Sequence, residues 1–267
     1  MDEASQSFFV RHQFLIRRLH SLSGLIPIGA FLVLHLVTNA SVLGGPASFQ
    51  ANVDRIHSLG VILPVVEWLF IFIPLIFHAV VGFAIIQGGL PNTGSYPYSG
   101  NIRYTLQRAT GIIAFVFIFA HVLHLHWVGE PLKNVNEEVF AQFEPESATS
   151  STAAALQASL LVQFFYAVGI LSTVFHLANG IWTLGITWGL WTTPDAMRRA
   201  NYVSLTVGVV LGAIGLGALG GFVDTDREEA VVIEKRLQRG QQIMHGEVAV
   251  GVDVAGSEES GEGESEQ

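Results

Sequence analysis

The chain has 267 residues, is 50% apolar and 13% charged, carries a formal net charge of −9 and contains no cysteine. A soluble domain carries about 25% charged residues; here the charges gather between long charge-free windows, which excludes an ordinary soluble fold and points to a polytopic membrane protein. The missing cysteines exclude an iron–sulfur cluster, a thiolate metal site, a disulfide framework and c-type haem attachment within this chain, and the lack of a basic stripe excludes a nucleic-acid partner.

Residues 1–21 are polar and include Arg11, Arg17 and Arg18. No small-residue cleavage site follows a short apolar core, so a cleaved signal peptide is not expected. A membrane-spanning helix needs about 20 apolar residues. Four runs meet that length cleanly: 22–43, 61–87 (broken only by Glu67), 109–128 and 202–223. A fifth lies within 153–191 and belongs to a stretch, 147–194, without Asp, Glu, Lys or Arg. That stretch is long for one helix, but no turn signal marks its middle. It reads as one tilted helix with Trp182, Trp188 and Trp191 near the headgroups. The expected fold class is therefore an all-α membrane protein with five transmembrane helices.

Basic residues orient the bundle. Arg11, Arg17 and Arg18 precede the first span, Arg103 and Arg108 the third, and Arg198 and Arg199 the fifth. The loops on the other side hold only Arg55 and Lys133. The rule that cytoplasmic loops are basic places the N-terminus in the cytoplasm and the C-terminus outside, in a cytoplasmic (inner) membrane. Residues 224–267 run from mixed charge to "GSEESGEGESEQ". They read as a separate polar acidic tail, disordered at its end and solvated, behind a membrane unit at 1–223.

The spans contain a repeat. "RLHSLSGLIP" opens the first pair of spans and "TLQRATGIIA" the second; each is a basic entry followed by a hydroxyl–glycine step. A histidine follows about ten residues later, His35 and then His121. Each pair closes on Phe-His-x-x-x-Gly, in "PLIFHAVVG" with His78 and Gly82 and in "STVFHLANG" with His176 and Gly180. By helical rise, His35 lies roughly 20 Å into the first span and His121 at a similar depth in the third. His78 and His176 fall past the midpoints of spans that run inward. Two layers result, roughly 10 Å apart along the membrane normal.

An ionisable residue inside a membrane marks a functional site by default, and imidazole is a ligand of haem iron. Two facing imidazoles fill both axial positions of one haem, so two layers of paired histidines fit two b-type haems in the bundle of the first four spans. Gly82 and Gly180 lie one turn past their histidines, where a side chain would collide with a porphyrin. Pro74 removes a helical hydrogen bond and can bend its span around the macrocycle. In "HVLHLH", depth favours His121, with His124 an open alternative.

These residues resemble the cytochrome b subunit of succinate dehydrogenase/fumarate reductase in its single-chain, di-haem, Bacillus-type form. The stretches "RRLHSLSGLIPIG", "HLVTN", "PLIFHAVVG", "LQRATGII" and "LSTVFHLANG" carry the resemblance, over most of residues 14–190. It implies His78 and His176 on a proximal haem iron and His35 and His121 on a distal one. It also implies a flavoprotein subunit and an iron–sulfur subunit on the cytoplasmic side, and a quinone, usually menaquinone, as electron acceptor. Succinate chemistry would belong to the flavoprotein, and the relay would serve succinate oxidation or, in reverse, fumarate reduction. The tail past residue 224 departs from that family's pattern.

Secondary candidates surround the histidines. Arg18, His20, Ser23 and Arg108 would pair with haem propionates, dock the iron–sulfur subunit or line a proximal quinone pocket; plain topology also explains the arginines. Glu67 and Asn39 are candidates for proton or quinone handling near the distal haem, against headgroup placement for the first and a helix–helix hydrogen bond for the second. Two rival readings stay open on the residues alone: a di-haem anchor of another quinone-linked dehydrogenase, such as a hydrogenase or formate dehydrogenase, and a haem-free transporter with proton-relay histidines.

Overall fold

The computed structural model describes residues 8–89 and 91–244, and among them every regular element is helical. Lipid offers no hydrogen bonds to a peptide backbone, so apolar runs of this length must satisfy their own N–H and C=O groups as helices. Five helices are long and apolar enough to cross a membrane: Arg11–Gly44, Gly60–Gln87, Ser99–Leu125, Leu160–Thr187 and Pro194–Val223, here spans one to five. Several exceed their apolar runs at the end carrying Arg11, Arg103 and Arg198, where basic and polar residues continue the helix. With five spans the chain enters on one face of the bundle, the N-side, and leaves span five on the other, the C-side.

The fourth charge-free run departs from the sequence reading. One span crosses, but residues before Leu160 are not part of it. They form a separate helix, Ala148–Gln157. The break is made by Ser159, whose backbone is extended (φ −164°, ψ 159°) and whose side chain accepts the Val162 N–H as the N-cap of span four. The short helix is buried on the C-side, with Ala148, Thr149 and Ala153 fully covered.

Spans one and two are not straight α-helices. Gly24–Gly29 forms a π-turn enclosing Pro27, and Trp68–Phe72 forms another just ahead of Pro74. Spans three and four are uninterrupted α-helices. A π-turn holds one residue more than the α-turn it replaces. This absorbs a mismatch in the repeat, since His35 follows Gly24 by 11 residues (35 − 24) and His121 follows Gly111 by 10 (121 − 111).

Span five packs against spans one and four through small residues, as lipid-immersed helices do. A Cβ at Gly215 would stand 2.6 Å from Ile170 and 3.3 Å from Leu36. On the C-side an apolar cluster joins Val42, Phe49, Val53, Leu156, Tyr166 and Phe222.

The chain past span five folds back onto this cluster. Residues Arg227–Met244 form a helix that lies on the Pro46–His57 and Ala148–Gln157 helices. Its Glu234 is 1% exposed. One oxygen accepts the Thr149 and Ser150 N–H groups (2.7 and 3.1 Å), and the other accepts the Ser150 hydroxyl (2.6 Å). Gln50 Oε1 accepts the Ala148 N–H at 2.9 Å. The first three orphan donors of the 148–157 helix are thus satisfied by two other segments, with a carboxyl group at the positive end of the helix dipole. Gln157 in turn donates to the carbonyls of Phe222, Val223 and Thr225, closing the C-terminus of span five. Glu234→Ala would leave two buried N–H donors unpaired, at about 1–3 kcal/mol for each group, and the Ser150 hydroxyl with only the Ser147 carbonyl at 3.3 Å. The expected result is a lower melting temperature of the purified protein, partly recovered in Glu234→Gln, which retains an acceptor. The acidic end of the tail lies outside the described residues.

Candidate functional site

The four histidines of the repeat meet in two facing pairs. The rings of His78 (span two) and His176 (span four) have centroids 6.1 Å apart at 88°. Those of His35 (span one) and His121 (span three) are 5.7 Å apart at 80°. Each pair spans a diagonal of the first four helices. The first lies toward the N-side and the second toward the C-side.

The N-side pair is held by backbone. His78 Nδ1 is 3.0 Å from the carbonyl oxygen of His20, and His176 Nδ1 is 3.0 Å from that of Gln107. A carbonyl can only accept, so each Nδ1 carries the proton. Each Nε2 is then left with its lone pair, the form in which imidazole ligates a metal. His20 and Gln107 are equivalent in the repeat, and their side chains lie against the same rings. His20 stacks on His78 with centroids 4.0 Å apart, and Gln107 Nε2 is 3.2 Å from His176 Nδ1.

Two glycines complete this clamp. A Cβ at Gly24 would be 2.5 Å from His78 Cε1, and one at Gly111 2.8 Å from His176 Cε1. Real Cβ atoms do not approach that closely, so these positions admit the ring only as glycine. Both glycines lie in the hydroxyl–glycine steps that open the two halves of the repeat. Their signal was the repeat itself, since each lies four residues past the carbonyl that holds the ring. Gly82 lies against His20 (3.3 Å to a built Cβ) and Gly180 against Gln107 (3.8 Å).

The C-side pair is held differently. Asn39 donates to the His35 carbonyl at 2.8 Å and stands 3.4 Å from His35 Nε2. His121 packs between Phe117 and Tyr166, and its Nδ1 is buried without a partner. His124 turns away from His35 and meets the Tyr166 hydroxyl at 2.8 Å. His121 is therefore the residue that faces His35.

The remaining candidates lie near one face or the other. On the N-side, Arg18 donates to the Thr187 carbonyl and stacks on Phe14 and Trp188, joining the start of span one to the end of span four. Ser23 donates to the His20 carbonyl at 2.9 Å and lies 3.4 Å from His78 Nδ1. Arg108 donates to the carbonyls of Gly89 and Ile85, capping the end of span two. On the C-side, Glu67 accepts from His126 Nε2 (3.3 Å) and the Trp127 indole N–H (3.2 Å).

Among the described residues no three or more His, Cys, Asp or Glu side chains converge as a metal cluster. The donors come in opposed pairs, which suits axial ligation of a planar macrocycle rather than a tetrahedral ion. An unpartnered buried nitrogen on His121 and the Nε2 lone pairs of His78 and His176 fit such a group, that of His176 with the Gln107 amide nitrogen 3.4 Å away.

A sequence profile described as succinate dehydrogenase/fumarate reductase transmembrane subunit matches residues 91–215. The chain is also 37% identical over 211 residues to the succinate dehydrogenase cytochrome b558 subunit of Bacillus subtilis (strain 168), covering 79% of this chain and 98% of the relative. The chain belongs to the succinate dehydrogenase/fumarate reductase transmembrane subunit family. It is thus the membrane subunit of an enzyme complex. The family assignment overrides the hydrogenase, formate dehydrogenase and transporter readings. The two histidine pairs lie inside this membrane subunit, with Asn39, Gln107 and Ser23 beside them.

Proposed function

We propose that this succinate dehydrogenase/fumarate reductase subunit carries two b haems, one on His78 and His176 and one on His35 and His121, and passes electrons between an iron–sulfur subunit and a quinone. The observation that carries the reading is the pair of opposed imidazole couples at two levels of one bundle, the N-side couple with both Nδ1 protons fixed on main-chain carbonyls. Haem held by His78 with His176 and by His35 with His121 would supply reversible one-electron chemistry. The protein's part is to hold four neutral imidazoles, keep them apart from water and line up the two levels across the membrane.

The N-side is taken as cytoplasmic because the arginines ahead of spans one, three and five lie there. The flavoprotein and iron–sulfur subunits would dock on that face, where Arg18, His20, Ser23 and Arg108 surround the N-side histidines. Menaquinone is the acceptor proposed near the C-side couple, with Glu67 and Asn39 as the proton-handling groups within reach of it. Electrons moving between the faces would couple to the membrane potential, at about 2.3 kcal/mol per charge per 100 mV. Residues 1–223 make up the anchor in this reading, residues 224–267 are a separate tail, and the tail's 227–244 helix lies against the C-side face.

A reduced-minus-oxidised spectrum of the purified complex, with haem counted per polypeptide, tests the proposal. The expected result is a b-type α-band and two haems per chain, together with a flavin-containing partner. A spectrum without that band overturns it.

A further inference from the structure

Spans three and five flank span four and leave a groove of about 1140 Å³ over its outer surface. Ligand pockets are about 300–1,000 Å³, so this one has room for more than a compact ligand. Its long wall is apolar and includes Leu171, Phe175, Leu205 and Val209. Leu205 and Val209 are 64% and 62% exposed, so the groove opens outward to the bilayer. None of the histidines lines it.

The N-side end of the groove is polar, and Arg103 dominates it. Arg103 Nε donates to Asn179 Oδ1 at 2.8 Å, and its terminal nitrogens donate to Asn201 and Ser204. The guanidinium also stacks on Trp182 at 4.2 Å. These are neutral partners from spans four and five, and among the described residues no carboxylate neutralises Arg103. Three of its five N–H donors are spent, and two remain. The indole N–H of Trp182, which lines the same groove, also lacks a partner. A fixed, uncompensated cation at the headgroup level, above an apolar trough open to lipid, is complementary to an anion that carries acyl chains. Basic pockets between helices on the cytoplasmic side bind anionic headgroups in this way.

We propose that the groove between spans three, four and five is a binding site for an anionic phospholipid, with its phosphate on Arg103 and its acyl chains along span four. Arg103 is a binding residue in this account, positioned by Asn179, Asn201 and Ser204. The site does not depend on the haem proposal.

The full-length protein, purified in its complex and washed in lipid-free detergent, would be assayed for phospholipid phosphorus per polypeptide, with headgroups identified by mass spectrometry. Retention is expected to fall roughly fivefold in Arg103→Gln, the weight of one basic residue at a membrane surface, and to stay near wild type in Arg103→Lys. Gly212→Leu tests the apolar half with the cation intact. A Cβ there meets only Leu171 at 3.9 Å, so the side chain can enter the groove without a backbone clash, and retention should fall again. Delipidated wild type should rebind phosphatidylglycerol from mixed micelles in preference to phosphatidylcholine. Equal retention in wild type, Arg103→Gln and Gly212→Leu would overturn the proposal. So would a retained molecule that is a quinone without phosphorus.

Discussion

Replacing His78 or His176 with alanine is expected to reduce bound haem from two per polypeptide to one and to abolish quinone reduction by the assembled complex. Each of these imidazoles has Nδ1 committed to a carbonyl, of His20 or of Gln107, at 3.0 Å. The single remaining nitrogen faces its partner across 6.1 Å between ring centroids. No other described histidine stands opposite either one to replace it. His20 lies beside His78, stacked at 4.0 Å, and cannot reach the far side of a macrocycle from there. His35→Ala should instead remove the C-side haem and leave the N-side signal intact. Haem extraction and redox titration read both outcomes. Two haems with unchanged potentials in His78→Ala and His176→Ala would refute the ligand assignment.

The second large effect is expected at two glycines that are not themselves proposed ligands. Gly24→Ala places a methyl group 2.5 Å from His78 Cε1, and Gly111→Ala places one 2.8 Å from His176 Cε1. The rings cannot retreat without breaking the carbonyl hydrogen bonds one turn back. Overpacking of this kind costs about 1–3 kcal/mol, or about 5–150-fold in the equilibrium for holding the ring. Both variants should lose N-side haem while all four histidines remain. Gly180→Ala is the informative contrast, because a Cβ there meets only Gln107 at 3.8 Å, an ordinary contact. If its haem loss equals that of Gly24→Ala, the glycine is making room for the macrocycle itself. If it is mild, the protein's own packing sets the requirement. Haem occupancy at fixed protein concentration separates the two.

Much of this arrangement was legible in the residues. Apolar runs gave the number of spans, because in a bilayer length and hydrophobicity decide the matter almost alone. The histidine levels followed from helical rise applied to His35, His78, His121 and His176. What escaped was set by long-range partners or small local signals. A single serine ends one helix and caps the next at 159, and a serine inside an apolar run is too common to mark a break. The 227–244 helix was hidden by averaging "REEAVVIEKRLQRGQQIM" with the acidic residues beyond it. What holds it is Glu234 on donors 84 and 85 residues away, which no local pattern displays. The Gly24–Gly29 π-turn appears in the sequence only as a one-residue discrepancy between two repeats. Arg103 read as a topology marker, and its surroundings emerge only when spans four and five are set beside it.

The grip on the N-side rings comes from main-chain atoms at positions 20 and 107, where one copy of the repeat carries His and the other Gln. No side-chain replacement at either position deletes the oxygen that does the holding. A mutagenesis screen of those two codons would therefore miss the most important contact they make. The vulnerability is displaced one turn along each span, where proline at 24 or 111 would collide with that same carbonyl and the fault would surface far from the altered residue's own neighbours.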